Sequence, residues 1–336
     1  MLSIMSRSPV HASPLEATKD IVLCCGQERG RRLVSESPST DRSSPNPRRE
    51  ASERRRSCVV CGTSPGPVSQ DAADYRICKV CDVAWRVIED PIDTTEDWDR
   101  RYYGDPAILE MHLRRVSALE SIAHRLTQIR PQRGRLLDVG AGLGIFMGAA
   151  ARLGWSVEGL EPSQTAWEAA RLRTGSPVHM GLLEQVELPR GSFDVVTSFD
   201  LLRLVSDPML FLRRARELLR PGGILVIREV HRRAEAGREK IRSLVERRKF
   251  SPGRKAFEFR QCFSPKSLRF AFQAVGLTGS WVEPSPVFAE PDGGDYLTAS
   301  LFKQSLGWVG ESAFRLSGRR IVMGPSILAF GRAPLE

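Results

Sequence analysis

The chain has 336 residues, too many for one minimal domain and enough for a large domain with an accessory module. Apolar residues at 41% support a sizeable core, charged residues at 27% exclude wholesale disorder, and no apolar run approaches the ~18 residues of a membrane helix. The net charge of +10 is concentrated in residues 213–260, with 16 Lys/Arg against 6 Asp/Glu, so that segment suits an anionic partner or a solvated basic helix.

Residues 1–57, rich in Ser, Pro and Arg, lack the apolar surface to offset ordering entropy and read as a disordered tail. They show no secretory pattern: Lys19 and Asp20 precede a short Ile21-Val22-Leu23 run, and a cytoplasmic location is expected. Residues 58–103 read as a metal-binding module and linker. Cys58-x-x-Cys61 and Cys78-x-x-Cys81 are separated by 16 residues. Four converging thiolates complete a closed tetrahedral zinc site with no open position, which predicts structural Zn2+. A redox dithiol is the rival reading, although it needs only one pair. The other cysteines are Cys24, Cys25 and Cys262, and the odd total of seven favours metal over disulfides in a chain with no secretory pattern. An acidic stretch from Glu89 to Asp99 leads out of the module.

Residues 107–130 carry Ile108, Leu109, Leu113, Val116, Leu119, Ile122 and Leu126 at helical spacing, and Pro131 closes that helix. Strands and helices then alternate. Strands are predicted at Leu136–Val139, Val157–Leu160, from Val178, at Phe193–Ser198 and at Ile224–Ile227, with two more near 277–283 and 326–331. Helices run from the glycine turn through Arg152, over 163–173, from Asp207-Pro208 and from Ser264-Pro265 to Gly276; the last two open on an N-cap followed by proline. This alternation predicts an α/β fold, a mostly parallel sheet with helices on both faces.

The turn Asp138-Val139-Gly140-Ala141-Gly142-Leu143-Gly144 follows a strand and opens a helix. Its G-x-G-x-G spacing departs from the dinucleotide fingerprint, because Ile145 stands where G-x-x-G would need glycine. Glu161 ends the next strand, where a carboxylate can accept both hydroxyls of a ribose. With Gly191–Val196 and Leu218–Val226, this ordered set resembles the class I S-adenosylmethionine-dependent methyltransferases across roughly residues 105–230. The cysteine pairs, the acidic linker and Tyr102-Tyr103 resemble a bacterial branch with an N-terminal zinc ribbon. The resemblance implies a Rossmann-like methyltransferase domain over 104–336, with a small helical cap inserted at 231–260. It implies S-adenosyl-L-methionine as cofactor. Asp138, Gly140, Gly142 and Gly144 would hold its methionine part, Glu161 its ribose and Glu184 its adenine, with Tyr103 as a cover.

Candidate acid–base residues stand at the carboxyl ends of strands: Asp200 after the fourth, His231 after the fifth. Relatives commonly have Glu-His where this chain has Arg203-Leu204, a departure that removes the usual polar pair beside the acceptor. His112 and His124 read as half-buried residues of the first helix; Phe257, Phe259, Phe263 and Arg260 suit ring stacking or anchoring of the cap. The function implied is methyl transfer to a small-molecule, sugar or lipid-linked acceptor, anionic if the basic segment steers it. Two alternatives stand beside it: an RNA methyltransferase, and a non-catalytic zinc-ribbon interaction protein. The sequence assigns neither a membrane span nor an oligomeric state.

Overall fold

The computed structural model describes residues 57–63, 75–86, 99, 103, 112–234, 259–286 and 296–335, the last range partly as backbone alone. The expected tail (all but Ser57), Tyr102, Phe257 and most of the cap at 231–260 lie outside the described residues. Both cysteine turns close alike: Gly62 N donates to Cys58 O and Asp82 N to Cys78 O, each at 2.9 Å. Gly62 and Asp82 are both left-handed, and aspartate is among the few residues with a side chain that tolerate this. The second turn joins β1 (Tyr75–Ile77) to β2 (Ala84–Arg86) as an antiparallel hairpin.

The large sheet follows. Helix α1 (Val116–Ile129) precedes β3 (Arg135–Val139), α2 (Ile145–Arg152) and β4 (Ser156–Glu161). Then come α3 (Gln164–Thr174), β5 (Val178–Met180), β6 (Phe193–Phe199), α4 (Pro208–Leu218) and β7 (Leu219–Val230). Beyond the cap lie β8 (Gln261–Cys262), α5 (Pro265–Ala274), β9 (Thr278–Pro284), α6 (Tyr296–Leu316) and β10 (Ser326–Arg332). The strand order is β5-β4-β3-β6-β7-β10-β9, with β3 to β7 parallel and β10 antiparallel to both its neighbours. The order reverses between β3 and β6, and open α/β sheets bind ligands at that switch point, outside the carboxyl ends.

Two expected caps form through side chains. Asp207 accepts from Met209 N and Leu210 N at the start of α4, and Ser264 and Ser267 form a capping box on α5. The first helix differs from the expected 107–130: residues 114–115 form a turn, and α1 starts at Val116. Strand β7 begins at Leu219, directly where α4 stops, five residues before the predicted start. Helix α6 was not expected at all.

Apolar side chains on one face of the sheet pack with α1, α2 and α3. On the other face α4, α5 and the ribbon residues Val60, Val83 and Trp85 share a single core. A third strand, β8, joins the ribbon hairpin, so the small sheet runs β1-β2-β8 and includes a segment from beyond the cap. At the amino edge of the large sheet, buried Asp194 accepts from Arg130 Nη2 (2.6 Å) and Arg135 N (2.9 Å) and pairs with Arg220. Asp194→Ala leaves a largely buried guanidinium uncompensated and is expected to destabilise the chain by about 3 kcal/mol in urea unfolding. A loss under about 0.5 kcal/mol, the scale of surface substitutions, would remove Asp194 from the framework.

Candidate functional site: a glycine turn and an arginine-lined wall

The turn after β3 is tied to the end of β4. Gly140 N and Ala141 N both donate to Leu160 O, at 2.8 and 3.1 Å. Gly142 N donates to Glu161 Oε2 at 2.8 Å, while Glu161 Oε1 accepts from Ser163 N at 3.1 Å. Asp138, on β3, accepts from Thr197 Oγ1 at 2.7 Å across the register pair with β6. Both carboxyls are buried. Desolvation pushes Asp138 up to about 7, against the Thr197 hydrogen bond and helped by Glu161. Desolvation likewise pushes Glu161 up to about 7, against its two backbone donors and helped by Asp99.

Two linker residues border the site, Tyr103 at this turn and Asp99 at the start of α3. A Cβ built on Gly142 would stand 3.3 Å from the Tyr103 hydroxyl. Tyr103 stacks on His112, with ring centroids 5.7 Å apart. Asp99 accepts from Ser163 Oγ and from the backbone N–H groups of Gln164 (3.2 Å) and Thr165 (3.3 Å), and so caps α3. Glu184 lies half-buried in the turn after β5, with no hydrogen bond or ion pair among the described residues.

The second wall follows β6. Asp200, left-handed with φ 58°, is half-buried, its side chain 9% exposed. Its carboxylate pairs with Arg228, with Arg115 Nη1 at 3.7 Å and with Arg203 Nη2 at 3.8 Å. Desolvation raises its pKa, but Arg228, Arg203 and Arg115 outweigh that and hold it below the usual carboxylate range. Arg228 is fixed further by Ser285 Oγ and Ser326 Oγ, both at 2.9 Å. Arg203 lies 4.3 Å from the Phe259 ring centroid, and its backbone N donates to Glu229 Oε1 at 3.2 Å. Desolvation pushes buried Glu229 up to about 8, against the pull of Arg203. Half-buried His112 faces Arg115 and Asp200, and desolvation lowers it to about 3, so its ring is neutral.

The last candidate from the sequence sits apart. His231 Nδ1 lies 3.2 Å from the Gly324 carbonyl, and its backbone bridges Phe263 and donates to Pro325 O. Desolvation lowers its pKa, against the Gly324 hydrogen bond. No hydrogen bond or ion pair joins His231 to Asp200 among the described residues. Phe263 is a fully buried core residue.

The four predicted metal ligands do converge. Cys58 and Cys81 Sγ are 3.4 Å apart, as are Cys61 and Cys78 Sγ, and all four lie within 4.8 Å of one another. The backbone N–H groups of Cys61 and Cys81 point at Cys58 and Cys78 Sγ, each at 3.5 Å. The Cys58 thiol is pulled down to about 5, first by its hydrogen bond with Cys81. This donor set and spacing fit a closed, four-thiolate zinc ribbon.

A family model described as a methyltransferase domain matches residues 111–279, half of the sequence. The chain belongs to that family. The ubiquinone biosynthesis O-methyltransferase of Bradyrhizobium diazoefficiens is 33% identical over 104 residues, 29% of this chain and 40% of that protein. Its counterpart in Paramagnetospirillum magneticum is 37% identical over 114 residues, 32% of this chain and 45% of that protein. The match thus spans less than half the length of these curated relatives. A solved SAM-dependent methyltransferase of Thermotoga maritima shares 20% identity with a TM-score of 0.47, covering 70% of this chain and 97% of that one. Phosphoethanolamine N-methyltransferase 2 of Haemonchus contortus, in complex with S-adenosyl-L-methionine, shares 17% identity with a TM-score of 0.46, covering 75% and 62%.

In this methyltransferase domain the site holds residues that sequence reading passed over: Asp99, Arg115, Arg228 and Glu229. Asp99 ended an acidic stretch read as linker, and Arg115 was hidden in an unbroken helical pattern. Among the described residues, no helix is long and apolar enough to cross a membrane. The turn glycines have separate reasons. Gly144 (φ 71°) faces Ala170 Cα, which an added Cβ would approach to 2.9 Å, whereas Gly142 (φ 52°) faces only the Tyr103 hydroxyl. Gly144→Ala is therefore expected to cost about 3 kcal/mol through strain and overpacking of α2 on α3, and Gly142→Ala about 1 kcal/mol through strain alone. Thermal melts of the two variants check this, and equal losses would refute the distinction.

Proposed function

We propose that this methyltransferase domain binds S-adenosyl-L-methionine at the glycine turn and transfers its methyl group to a small-molecule acceptor at the arginine-lined wall. The observation that carries the reading is the pair of buried carboxyls, Asp138 and Glu161, flanking a left-handed glycine turn that the Tyr103 hydroxyl closes over, 3.3 Å from where a Gly142 Cβ would stand. Glu161 would take the ribose hydroxyls, Asp138 and the turn N–H groups the methionine part, Glu184 the adenine, and Tyr103 would cover the pocket. When bound, the cofactor supplies an electrophilic methyl carried by a sulfonium. The chain then has to align the acceptor in line and exclude water, and positioning supplies much of the acceleration.

Asp200 is assigned a role different from the acid–base one expected from the sequence. A carboxylate held by three guanidinium groups is a weak base, and its use is to fix Arg228, Arg203 and Arg115. His231 stays a candidate only for an acceptor that reaches the ribbon side. Among the described residues, three guanidinium groups outnumber the two carboxyls they face, Asp200 and Glu229 (4.0 Å from Arg203 Nε), so this wall carries net positive charge, which supports an acceptor with a carboxylate or phosphate. The four cysteines would hold structural zinc, with no open position for chemistry.

Donor binding carries a pH signature. Asp138 and Glu161 are each pushed up to about 7, so both gain protons as pH falls from 8 to 6. The donor's positive charge and hydroxyl donors favour the ionised carboxylates, and affinity is expected to fall about tenfold per group over that range. Without donor the sign reverses. Each raised carboxyl contributes stability that is full below the ordinary carboxylate range and is lost as pH rises through about 7. Calorimetry at pH 6, 7 and 8 decides: no binding at any pH would sink the methyl-transfer reading, and an affinity that rises towards pH 6 would sink this account of the carboxyls.

For the acceptor, labelled donor is incubated with cell extract fractionated on an anion exchanger. Methylation is expected in the retained fractions. Arg203→Ala is expected to raise the acceptor KM by at least about tenfold with donor affinity unchanged, the scale of a charge-assisted hydrogen bond. Activity confined to the unretained fractions would refute an anionic acceptor.

A further inference from the structure

Strand β8 has two sides, and each holds a different part of the molecule. On one side Cys262 pairs with Ala84 and Gln261 with Trp85, completing the ribbon sheet. On the other side lies the loop after β6. Arg203 O accepts from Arg260 N at 3.0 Å and from Gln261 N at 3.4 Å. The Gln261 side-chain amide donates to Leu202 O at 2.7 Å and Val205 O at 2.8 Å. Three carbonyls of one short loop are therefore satisfied by two residues, and buried Gln261 supplies most of the donors. Loop carbonyls withdrawn from water need such partners, and a primary amide can offer both its hydrogens at once.

The same ribbon is clamped to the end of β7. Asp82, in the second cysteine turn, pairs with Arg232 through its carboxylate, and its carbonyl accepts from Arg232 Nε at 3.2 Å and Ser264 Oγ at 3.4 Å. Arg232 N in turn donates to Phe263 O at 2.8 Å. The supported loop, residues 200–206, opens on Asp200 in a left-handed conformation, and it carries Arg203. Leu201 packs on the glycine turn, where a Cβ on Gly140 would come within 2.9 Å of its Cδ2.

We propose that the zinc ribbon is the positioning module of the acceptor loop, and that Gln261 is the positioning residue through which its fold reaches residues 200–206. The naming of that loop as the acceptor side rests on the methyl-transfer reading; the mechanical link between ribbon and loop does not. The ribbon's four thiolates, the Ala84–Trp85 edge, β8 and the three loop carbonyls form one continuous hydrogen-bonded path. Loss of the metal loosens the hairpin, the hairpin releases β8, and the loop loses its donors. The donor turn is held separately, by Leu160 and Glu161 on β4, and is left intact.

Hydrogen exchange read by mass spectrometry tests this on the full chain with its metal content measured. In Gln261→Ala, amides of 200–206 are expected to exchange about tenfold faster, the scale of two lost hydrogen bonds, while residues 140–144 keep their protection. Zinc content is expected to stay at wild-type level, and affinity for S-adenosylhomocysteine within about twofold. Removing zinc from the wild type with a chelator is expected to give the same loop-specific acceleration, and this arm decides should the variant fail to fold. Two results overturn the proposal: protection of 200–206 unchanged after chelation, or equal loss of protection at 140–144, which would make the ribbon a support for the whole fold. A wild type that binds no S-adenosylhomocysteine strikes the methyl-transfer reading alone, because the exchange pattern still reports on the link.

Discussion

The end of β4 governs the rest of the site. A single carbonyl, Leu160 O, receives two successive N–H groups from the turn, and the next residue's carboxylate receives a third. That arrangement forces the backbone after β3 to fold back on its parallel neighbour within three residues. The cost is a run of left-handed residues that only glycine meets without strain, at 140, 142 and 144. Helix α2 then starts at a fixed place, the Asp138 carboxyl is buried against Thr197, and the switch point between β3 and β6 opens beside it.

Buried charge is divided between the two ends of the sheet. At the amino edge Asp194 is surrounded by donors and serves the framework. At the carboxyl edge burial outweighs the donors that reach Asp138, Glu161 and Glu229, and all three carboxyls are pushed up. Asp200 is the exception there, because three arginines converge on it. Perturbed groups gathered at one end of a sheet are the usual mark of the end where ligands bind.

Local signals in the sequence were strong where local physics decides the structure. The cap-and-proline pairs Asp207-Pro208 and Ser264-Pro265 fixed two helix starts, and the glycine spacing located the turn. The four cysteines converge because each pair closes its own turn. What stayed hidden depends on partners far along the chain. The break at residues 114–115 lets Arg115 reach Asp200. Gln261 and Cys262 form a strand only because β2 offers an edge. Asp99 looked like one more acid of a linker until the N-terminus of α3 stood beside it. Helix α6 holds Gly307 and Gly310 inside it, residues that weaken a helical pattern, and so did not stand out.

The position of β10 has a consequence for how the molecule is made. It is synthesised after every other strand of the large sheet, yet it lies inside that sheet, between β7 and β9. Until it leaves the ribosome, β7 presents an unpaired row of backbone groups flanked by Ile224, Leu225, Val226 and Ile227, all apolar and β-forming. The ribbon hairpin waits in the same way for β8. Both sheets therefore close late in translation, and the nascent chain passes through a stage with two open edges, each a template for pairing with a neighbouring copy.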